Sequence, residues 1–522
     1  MNQVFEQRLG ALQARSDARI AGGRRGVEKE ALRVTSDGYL AQTPHPQGLG
    51  SALTNRFITT DFSEALLEFV TPALGSTWEA LQVVCDIHQF TYRHLGDELL
   101  WCASMPCRIP GDADIPLARY GDSNVGRMKT VYRRGLGHRY GRNMQTIAGV
   151  HFNYSVPESF WPVYRDILGE ETGESEFRSA HYLGLIRNFR RYGWIVLYLF
   201  GDSPALCKSF GGGKALSMRE LNAETYYEPF GTSLRMSDLG YNNQTQAGIS
   251  ISLNRLDEYI RDLSDAIHTP EPAYEKIGII RDGEYQQLST NKLQIENEYY
   301  SPIRPKRVAH SGERPTAALR RGGVEYVEIR SLDINLSDPA GINQNTMRFI
   351  EAFLVYCLLE ESPPFDPGSF EETLKNQSLT AKRGREPGLA LERNGKPILL
   401  SDWAGEIIDK VMAVAELIDR EEGDGSYQDA VSFAASQVAE PESTPSARLL
   451  RALQDANCSF FEYALDVARR HRDYFASIAP MPPERAQQIE REATESVQRQ
   501  HDIEAEDDIS FEEYLARYFA SG

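Results

Sequence analysis

The chain has 522 residues and a formal net charge of -19, which disfavours non-specific binding to nucleic acid or to a membrane surface. Hydrophobic residues make up 41% of it and charged residues 25%, the composition of a globular protein with ample chain for a core. Anionic substrates are not excluded, because bound metals and a local basic cluster can reverse the field inside one pocket.

The first twenty residues predict an amphipathic helix with Val4, Phe5, Leu9 and Leu12 directed inward. They lack the apolar segment of a signal peptide, and no window approaches 18 uninterrupted apolar residues. The six cysteines are sparse and show no paired metal spacing. A reduced cytoplasm is therefore the expected compartment.

Residues 24–35, RRGVEKEALRVT, predict the first strand. Residues two apart in a strand share a face, so Glu28 and Glu30 project side by side and Lys29 points to the other face. Exposed glutamates on a solvated edge strand are the commoner explanation of such a pair. The alternative is half of a carboxylate cage for hard divalent cations.

Residues 58–72, ITTDFSEALLEFVTP, carry Asp61 and Glu68, and the aliphatic run before Pro72 predicts a strand for their second half. The odd separation of the two acids would place them on opposite faces of a regular strand. A bend or a helical turn must therefore lie between them if they are to share a site. Helical spacing follows over 75–99, and the Gly-, Arg- and Lys-rich residues 120–142 predict a loop with a short helix.

Two further strands are predicted from alternating patterns. Residues 145–156 place His151 on a polar face, and residues 322–335 place Glu328 and Arg330 together. Helices are predicted over 177–200 and from Gln344 to before Pro363. The Pro-rich residues 361–369 mark a boundary, so we expect a core over 1–365 and a mainly helical region over 366–522 packed on it.

Five carboxylates and one imidazole exceed what one divalent cation needs. Magnesium prefers octahedral oxygen coordination and keeps water and substrate phosphate as ligands, so two or three ions gripping a nucleotide triphosphate would use such a set. Taken singly, His151 is more often a satisfied buried histidine, and Glu328 more often a paired surface residue. The basic residues 303–307, IRPKR, either contact phosphate or carboxylate groups or form a solvated turn.

Several motifs are excluded. GGGK at 211–214 is not a Walker loop, because Lys208 stands where its first glycine would be and Ala215 replaces the required Ser or Thr. The chain also has no GxSxG nucleophile elbow, no HExxH motif and no dinucleotide fingerprint after a first strand.

Eight separate blocks, in order over about residues 26–335, resemble the glutamate–cysteine ligases of the proteobacterial type. The blocks are RGVEKEALRV, GSALTNRFITTDFSEALLEF, SMPC, MQTIAGVHFNYS, RYGWIVLYLFGDSP, TSLRMSDLGY, QIENEYYSPIRPKR and GGVEYVEIRSLDIN. So many blocks in one order are far more specific than any single motif. Similarity is weaker towards the C-terminus.

The resemblance implies an α+β fold related to glutamine synthetase, with a cup-shaped, mainly antiparallel sheet flanked by helices. It implies that ATP phosphorylates the γ-carboxylate of L-glutamate and that L-cysteine then displaces phosphate, giving γ-glutamylcysteine in the first step of glutathione synthesis. It further implies Mg²⁺ (two or three ions, with Mn²⁺ as a substitute), ATP as co-substrate, feedback inhibition by glutathione, no nucleic-acid or membrane partner, and a monomer.

The same resemblance assigns roles to individual residues. Metal positions are Glu28, Glu30, Asp61, Glu68, His151 and Glu328, of which Glu28 and Glu328 act with Arg330 in catalysis. The cysteine pocket comprises Phe62, Tyr132, Leu136, Gln145, Arg235, Tyr241 and Tyr300. Lys306 and Arg330 are expected at the phosphates. Two alternatives stay open: a related ligase with another amine acceptor, and an inactive relative kept as a binding protein. Because no cysteine occurs between Cys357 and Cys458, thiol regulation through that region is not expected.

Overall fold

A seven-stranded sheet organises the protein, and smaller sheets of two or three strands contain the remaining strands of the described residues. The computed structural model describes residues 3–211, 216–240, 248–310 and 312–520. The strands are β1 (Arg24–Val34), β2 (Ile58–Thr60), β3 (Leu66–Val70), β4 (Leu99–Leu100), β5 (Val150–Ser155), β6 (Ala205–Cys207), β7 (Arg219–Glu220), β8 (Thr225–Tyr227), β9 (Ile280–Arg281), β10 (Glu284–Tyr285), β11 (Ile303–Lys306), β12 (Tyr326–Leu332), β13 (Ala390–Arg393) and β14 (Lys396–Leu399).

Helices surround this sheet and continue to the C-terminus. They are α1 (Gln3–Gln13), α2 (Thr77–Tyr92), α3 (Asn124–Tyr140), α4 (Phe160–Leu168), α5 (Glu174–Tyr192), α6 (Trp194–Phe200), α7 (Leu256–His268), α8 (Pro272–Glu275), α9 (Pro315–Gly322), α10 (Gln344–Leu359), α11 (Pro367–Arg383), α12 (Leu400–Glu422), α13 (Ser426–Ala439), α14 (Pro445–Ala456), α15 (Phe460–Ser477), α16 (Pro483–Glu506) and α17 (Phe511–Ala520).

The sheet runs in the order β11-β12-β5-β1-β3-β2, with β4 also paired to β1, and each of these pairs is antiparallel. The predicted α+β class with a mainly antiparallel sheet is therefore confirmed. Strand β1 lies in the interior, between β3 and β5, and most of its residues are buried. The explanation of Glu28 and Glu30 as part of a solvated edge strand is wrong for this reason.

Lys29 points to the face opposite Glu28 and Glu30, as the strand period predicts. Its ammonium lies 2.8 Å from Nε2 of His88 on α2. Helix α2 begins where the Ser76 hydroxyl accepts a hydrogen bond from the backbone N–H of Glu79, which satisfies one orphan donor of the first turn. One face of β1 is thus covered by a helix, and the other remains available for the carboxylates.

Three element boundaries differ from the sequence prediction. Residues 120–142 hold a 17-residue helix, α3, because Ser123 caps its start and Gly135 packs closely against the Gln294 side chain. The sequence predicts only a loop with a short helix here, because glycine weakens helices in general. The helix predicted over 177–200 ends at Tyr192 and resumes at Trp194, and the strand predicted from Gln145 begins at Val150.

A disulfide joins Cys107 to Cys207 across 100 residues of sequence. The spacing of the cysteines along the sequence does not reveal this pair, because it depends on the fold bringing β6 beside the loop after β4. The remaining four cysteines are free thiols. Among the described helices, none has the length and apolarity needed to cross a membrane.

A buried ion pair connects the start of β1 to helices α10 and α13. Arg25 donates from Nε and Nη2 to the two carboxylate oxygens of Glu351, at 2.6 and 2.7 Å, and the Tyr427 hydroxyl donates to the same carboxylate at 2.6 Å. Both charged side chains are about 2% exposed. Removing one partner of such a pair leaves a buried charge without compensation.

We therefore expect Glu351→Ala to lower the free energy of unfolding by about 3–5 kcal/mol, measured by urea unfolding. Glu351→Gln, which retains a hydrogen-bond acceptor for Arg25, should lose less. The control is Asp257→Ala, which removes an exposed ion pair with Arg255 and should cost under about 1 kcal/mol. Equal losses for the two alanine variants would contradict the expectation.

Candidate active site

The antiparallel register places the ionisable residues of four strands on one face of the sheet. Glu28 of β1 lies opposite His151 of β5, Glu30 opposite Glu68 of β3, and Glu328 of β12 opposite Asn153. Directly paired residues of antiparallel strands share a face. Together with Asp61 they form a group that we call the carboxylate cluster: Glu28, Glu30, Asp61, Glu68, His151 and Glu328.

The bend required between Asp61 and Glu68 is present. Strand β2 ends at Thr60, residues 61–65 turn, and β3 begins at Leu66. The backbone carbonyl of Asp61 accepts hydrogen bonds from the Tyr120 hydroxyl, at 2.9 Å, and from Nε of Arg133. The turn therefore brings Asp61 back towards the face that carries Glu68, and two side chains hold its backbone there.

His151 lies in the middle of the cluster. Its Nδ1 is 3.2 Å from Glu28 Oε2 and 3.8 Å from Glu328 Oε1, and its Nε2 is 3.6 Å from Glu30 Oε1. Glu28, Glu68 and His151 each offer one ligand atom, and these atoms lie within 4.8 Å of one another. Oε2 of Glu328 is buried and accepts no hydrogen bond within the described residues. These donor atoms fit hard divalent cations.

Electrostatics divide the buried carboxylates of the cluster into two pairs. Burial raises the pKa of Glu68 well above its usual value, and the neighbouring Glu28 and Asp61 carboxylates raise it further. Burial also raises the pKa of Glu30. Burial acts the same way on Glu28 and is the largest single influence on it, but the hydrogen bond with His151 and the positive charges of His151 and Lys306 together outweigh it, and the net pKa is lowered.

The pKa of Glu328 is also lowered, although burial opposes the shift, because Lys306 and Arg330 stand beside it. Lys306 Nζ is 3.5 Å from Oε2 of Glu328, and Arg330 Nη1 is 3.0 Å from Oε1. The Glu328 end of the cluster is therefore balanced by cations of the protein. At the Glu68 end, burial and the carboxylates of Glu28, Asp61 and Glu30 oppose ionisation of Glu68, and added cations would relieve the repulsion between these carboxylates.

The basic segment 303–307 belongs to the sheet and not to a solvated turn. Lys306 ends β11 and faces Glu328, whereas Arg307 forms an ion pair with Glu325. Arg304 is buried and donates to backbone carbonyls of Asn297 and Tyr299. Within this segment Lys306 is the residue whose ammonium reaches the cluster.

The residues expected in the cysteine pocket lie along two sides of the cluster. Phe62 follows Asp61 directly, and it packs near Gly137 on α3, the helix that also carries Tyr132 and Leu136. Gln145 lies in the turn between α3 and β5. Tyr241 lies outside the described residues.

On the other side, Arg235 Nη2 donates to the Arg330 carbonyl at 2.8 Å, which attaches this wall to β12. The Tyr300 hydroxyl and Arg235 Nη1 both approach the Met236 sulfur, at 3.2 and 3.3 Å. Gly149 is required here, because a side chain at that position would collide with the Arg235 guanidinium.

Sequence reasoning missed four residues that shape the site. Asn153 Nδ2 donates to Glu28 Oε1 at 2.8 Å, and its place two residues after His151 on one strand face was an available signal. Gly149 was seen only as part of the polar face. Lys129 and Arg133 were overlooked because α3 was not recognised as a full helix, on which residues four apart share a face.

The arrangement suits transfer of a phosphoryl group. Such a reaction involves little covalent chemistry by the protein and depends on positioning and on stabilising the charge of the phosphoryl oxygens. Carboxylates able to hold metal ions, beside an arginine and a lysine, would provide both. A second pocket beside them would then place a nucleophile against the activated group.

Comparison with known proteins agrees with this chemistry. The family model described as glutamate–cysteine ligase matches residues 9–380. A glutamate–cysteine ligase of Alcanivorax borkumensis is 50% identical over 521 residues, covering 99% of each chain. One from Pseudomonas entomophila is 47% identical, covering 100% of this chain and 98% of the relative.

Solved structures agree in fold. A glutamate–cysteine ligase from Francisella tularensis in complex with AMP superposes with a TM-score of 0.91 at 36% identity, covering 97% of this chain and 99% of that one. A bifunctional glutathione synthetase from Pasteurella multocida superposes with a TM-score of 0.70 at 22% identity, covering 94% of this chain and 57% of that one. The latter likeness concerns the fold alone.

Proposed function

Because the chain belongs to the glutamate–cysteine ligase family, we propose that its carboxylate cluster is the active site that joins L-cysteine to the γ-carboxylate of L-glutamate using ATP. The product is γ-glutamylcysteine, and the enzyme is an ATP-dependent carbon–nitrogen ligase. One observation carries the assignment of the site: five carboxylates and His151 converge on one sheet face beside Arg330 and Lys306.

We propose Mg²⁺ as the metal, with two or three ions and with Mn²⁺ as a substitute. The ligands would be the six members of the carboxylate cluster, whose oxygen and imidazole donors suit these cations. Bound Mg²⁺ would neutralise phosphate charge and align the triphosphate with the acceptor carboxylate. The crowding of the Glu28, Glu30 and Asp61 carboxylates around Glu68, which raises the pKa of Glu68, supports this proposal.

The chain's own residues contribute position and charge. Arg330 presents a fixed, planar cation beside Glu328, where it would stabilise the equatorial oxygens of the transferring phosphoryl group. Lys306 would contact the nucleotide phosphates. Glu28 and Glu328 would keep the donor set in place. The γ-carboxylate of glutamate attacks the terminal phosphorus of ATP, and ADP leaves.

The residues of the cysteine pocket would then orient L-cysteine. Its amine attacks the carbonyl carbon of γ-glutamyl phosphate, loses a proton, and inorganic phosphate departs. Arg235 would bind the carboxylate of the substrate cysteine, since its guanidinium is buried beside Arg330. Phe62, Tyr132, Leu136, Gln145, Tyr241 and Tyr300 would complete the cysteine pocket.

The proposal is tested by measuring phosphate release with ATP, Mg²⁺ and L-glutamate, with and without L-cysteine, and by identifying the product by mass spectrometry. We expect cysteine-dependent release of phosphate and formation of γ-glutamylcysteine. Faster turnover with another amine, such as 2-aminobutyrate or alanine, would favour the related-ligase alternative. No turnover with any amine, despite binding of ATP, would favour an inactive binding protein.

Asn153 should matter to metal binding although it is not a proposed ligand. Its amide donates to Glu28, and groups that orient metal ligands typically affect affinity by about 10–100-fold. We expect Asn153→Ala to raise the half-saturating Mg²⁺ concentration within that range, measured by activity at fixed ATP. Asn222→Ala is the control, since Asn222 bonds the distant Cys458 carbonyl. An unchanged Mg²⁺ requirement would refute this role.

The remaining partner assignments are part of the same proposal. Glutathione would inhibit by placing its γ-glutamyl half in the glutamate site, so that its inhibition should be competitive with glutamate. Absence of competition in steady-state kinetics would count against this. We further propose a monomeric, cytoplasmic enzyme without nucleic-acid or membrane partners. Light scattering coupled to size-exclusion chromatography tests the oligomeric state.

We also propose that residues 366–522 are a helical region built on a catalytic core of residues 1–365. Contacts support close packing of the two parts, because Tyr427 of α13 bonds Glu351 of α10, and Lys410 of α12 forms an ion pair with Glu360 at 2.5 Å. A chain cut at residue 365 would expose the faces of α10 that these helices cover. Limited proteolysis that releases a stable, active 1–365 fragment would show instead that the core is independent.

A further inference from the structure

Helix α3 presents one face to the active site, and that face carries two cations. Residues 129, 132, 133 and 136 follow the helical spacing of three and four, so they share a face. Arg133 bonds the Asp61 carbonyl from this face. Tyr132 and Leu136 belong to the proposed cysteine pocket. Lys129 is the member of the face to which no role has been assigned.

Lys129 lies towards the Asp61 and Glu68 end of the cluster, where its neighbour on α3 is Arg133. Its ammonium is 5.2 Å from the centre of the Tyr120 ring, and the Tyr120 hydroxyl bonds the carbonyls of Thr60 and Asp61. Burial and the nearby Arg133 lower the pKa of Lys129, while the carboxylate of Glu68 opposes this shift. Lys129 is therefore close enough to the Asp61–Glu68 side of the cluster to respond to its charge.

The ammonium is also available to a ligand. Within the described part of the chain, Lys129 Nζ has no carboxylate oxygen within 4 Å and donates no hydrogen bond, whereas Lys306 is already beside Glu328. A half-buried ammonium without an anionic partner is costly. An anionic ligand would remove that cost and would gain a charge-assisted contact.

The position along α3 indicates which anion it meets. Lys129 precedes Leu136 by seven residues, or about 10 Å at 1.5 Å per residue. The cysteine pocket lies at the Leu136 end, near Phe62 and Gly137. The entering amine and the departing nucleotide occupy different sides of the glutamate carboxylate, so the polyphosphate is expected towards the Lys129 end. Free glutamate and cysteine carboxylates are expected nearer the other end.

We propose that Lys129 binds the β- and γ-phosphates of the nucleotide, on the wall of the site opposite Lys306. The inference rests on the proposed function, because it takes the carboxylate cluster to be the place where metal and ATP meet. It assigns the two phosphate-binding lysines to opposite edges of the sheet, one beyond β2 and one on β11. The polyphosphate would lie between them, above the carboxylates.

The test compares binding of ATP, ADP and AMP to the full-length protein in Mg²⁺, by isothermal titration calorimetry. In Lys129→Met we expect the Kd for ATP and ADP to rise about tenfold to a hundredfold, the range for a lost contact to a charged group. The Kd for AMP should stay unchanged, since AMP lacks both phosphates. Lys129→Arg should restore part of the affinity, and Lys276→Met, the same change at an exposed lysine, should have no effect.

Other outcomes overturn the inference. Unchanged ATP and ADP binding in Lys129→Met would refute it. A raised Mg²⁺ requirement with unchanged nucleotide affinity would show that Lys129 only balances the charge of Glu68. A raised KM for glutamate or cysteine alone would place the lysine at an amino-acid site. Failure of the wild-type protein to make γ-glutamylcysteine while it still binds ATP would instead refute the proposed function, so the two failures are distinguishable.

Discussion

Glu28→Gln is expected to abolish formation of γ-glutamylcysteine while the fold stays intact. Glu28 connects several members of the cluster: its oxygens contact His151 and Asn153, and its charge acts on Glu68 and Glu328. Glutamine is nearly isosteric, but its amide offers a divalent cation one neutral oxygen in place of two anionic ones. We expect kcat to fall by at least about a thousandfold, the upper range for losing one preorganised electrostatic group.

The same substitution, Glu28→Gln, should leave the thermal stability of the protein unchanged or raise it. Removing a negative charge beside Glu68 and Glu328 relieves repulsion in the metal-free protein, so thermal unfolding without Mg²⁺ should occur at the same or a higher temperature. The control is Glu158→Gln, an exposed glutamate paired with Arg178, which should keep wild-type turnover. Near-normal turnover by Glu28→Gln would refute the metal role of this residue.

Arg330→Lys is expected to lower kcat by about a hundredfold or more, although it preserves the charge. The guanidinium lies 3.0 Å from Glu328 Oε1 and 3.5 Å from His151 Nδ1. Its planar fork can keep that contact and still present donors to a phosphoryl oxygen, which an ammonium on a flexible stem does less well. Removal of one such donor typically costs about 10²–10³ in kcat.

The kinetic signature distinguishes this role from a structural one. Loss of a contact made in the transition state should lower kcat and kcat/KM together, and the KM for cysteine should change little. Arg255→Lys, the same change at an exposed arginine paired with Asp257, is the matched control. If Arg330→Lys instead raised only the KM for glutamate, Arg330 would be a substrate-binding residue and not a phosphoryl contact.

Much of the fold was predictable because strand patterns are local. The period of two in residues 24–35 determined that Glu28 and Glu30 share a face and that Lys29 does not. The apolar run of α10 predicted both its start and its approximate end. The requirement for a bend between Asp61 and Glu68 also followed from the strand period, and the turn at 61–65 meets it.

Other features were not predictable from local patterns. The glycines of α3 concealed a long helix, because the loss of helix propensity is offset by close packing such as that of Gly135 on Gln294. Because the sequence did not reveal this helix, it also did not reveal that Lys129 and Arg133 lie on one helix face. The pairing of Cys107 with Cys207 depends on two segments 100 residues apart. The assignment of metal and substrate roles to individual residues stays a prediction.

The sequence alone determined the α+β class, the family, and which carboxylates have the alternation needed for a shared face. Only the tertiary structure decided that β1 is an interior strand, that His151 stands opposite Glu28, and that Glu30 stands opposite Glu68. Alternation is a property of each strand's own backbone, whereas register depends on which distant strand packs beside it. The residues of the candidate active site therefore come from separate strands, and the pairing of those strands brings them together.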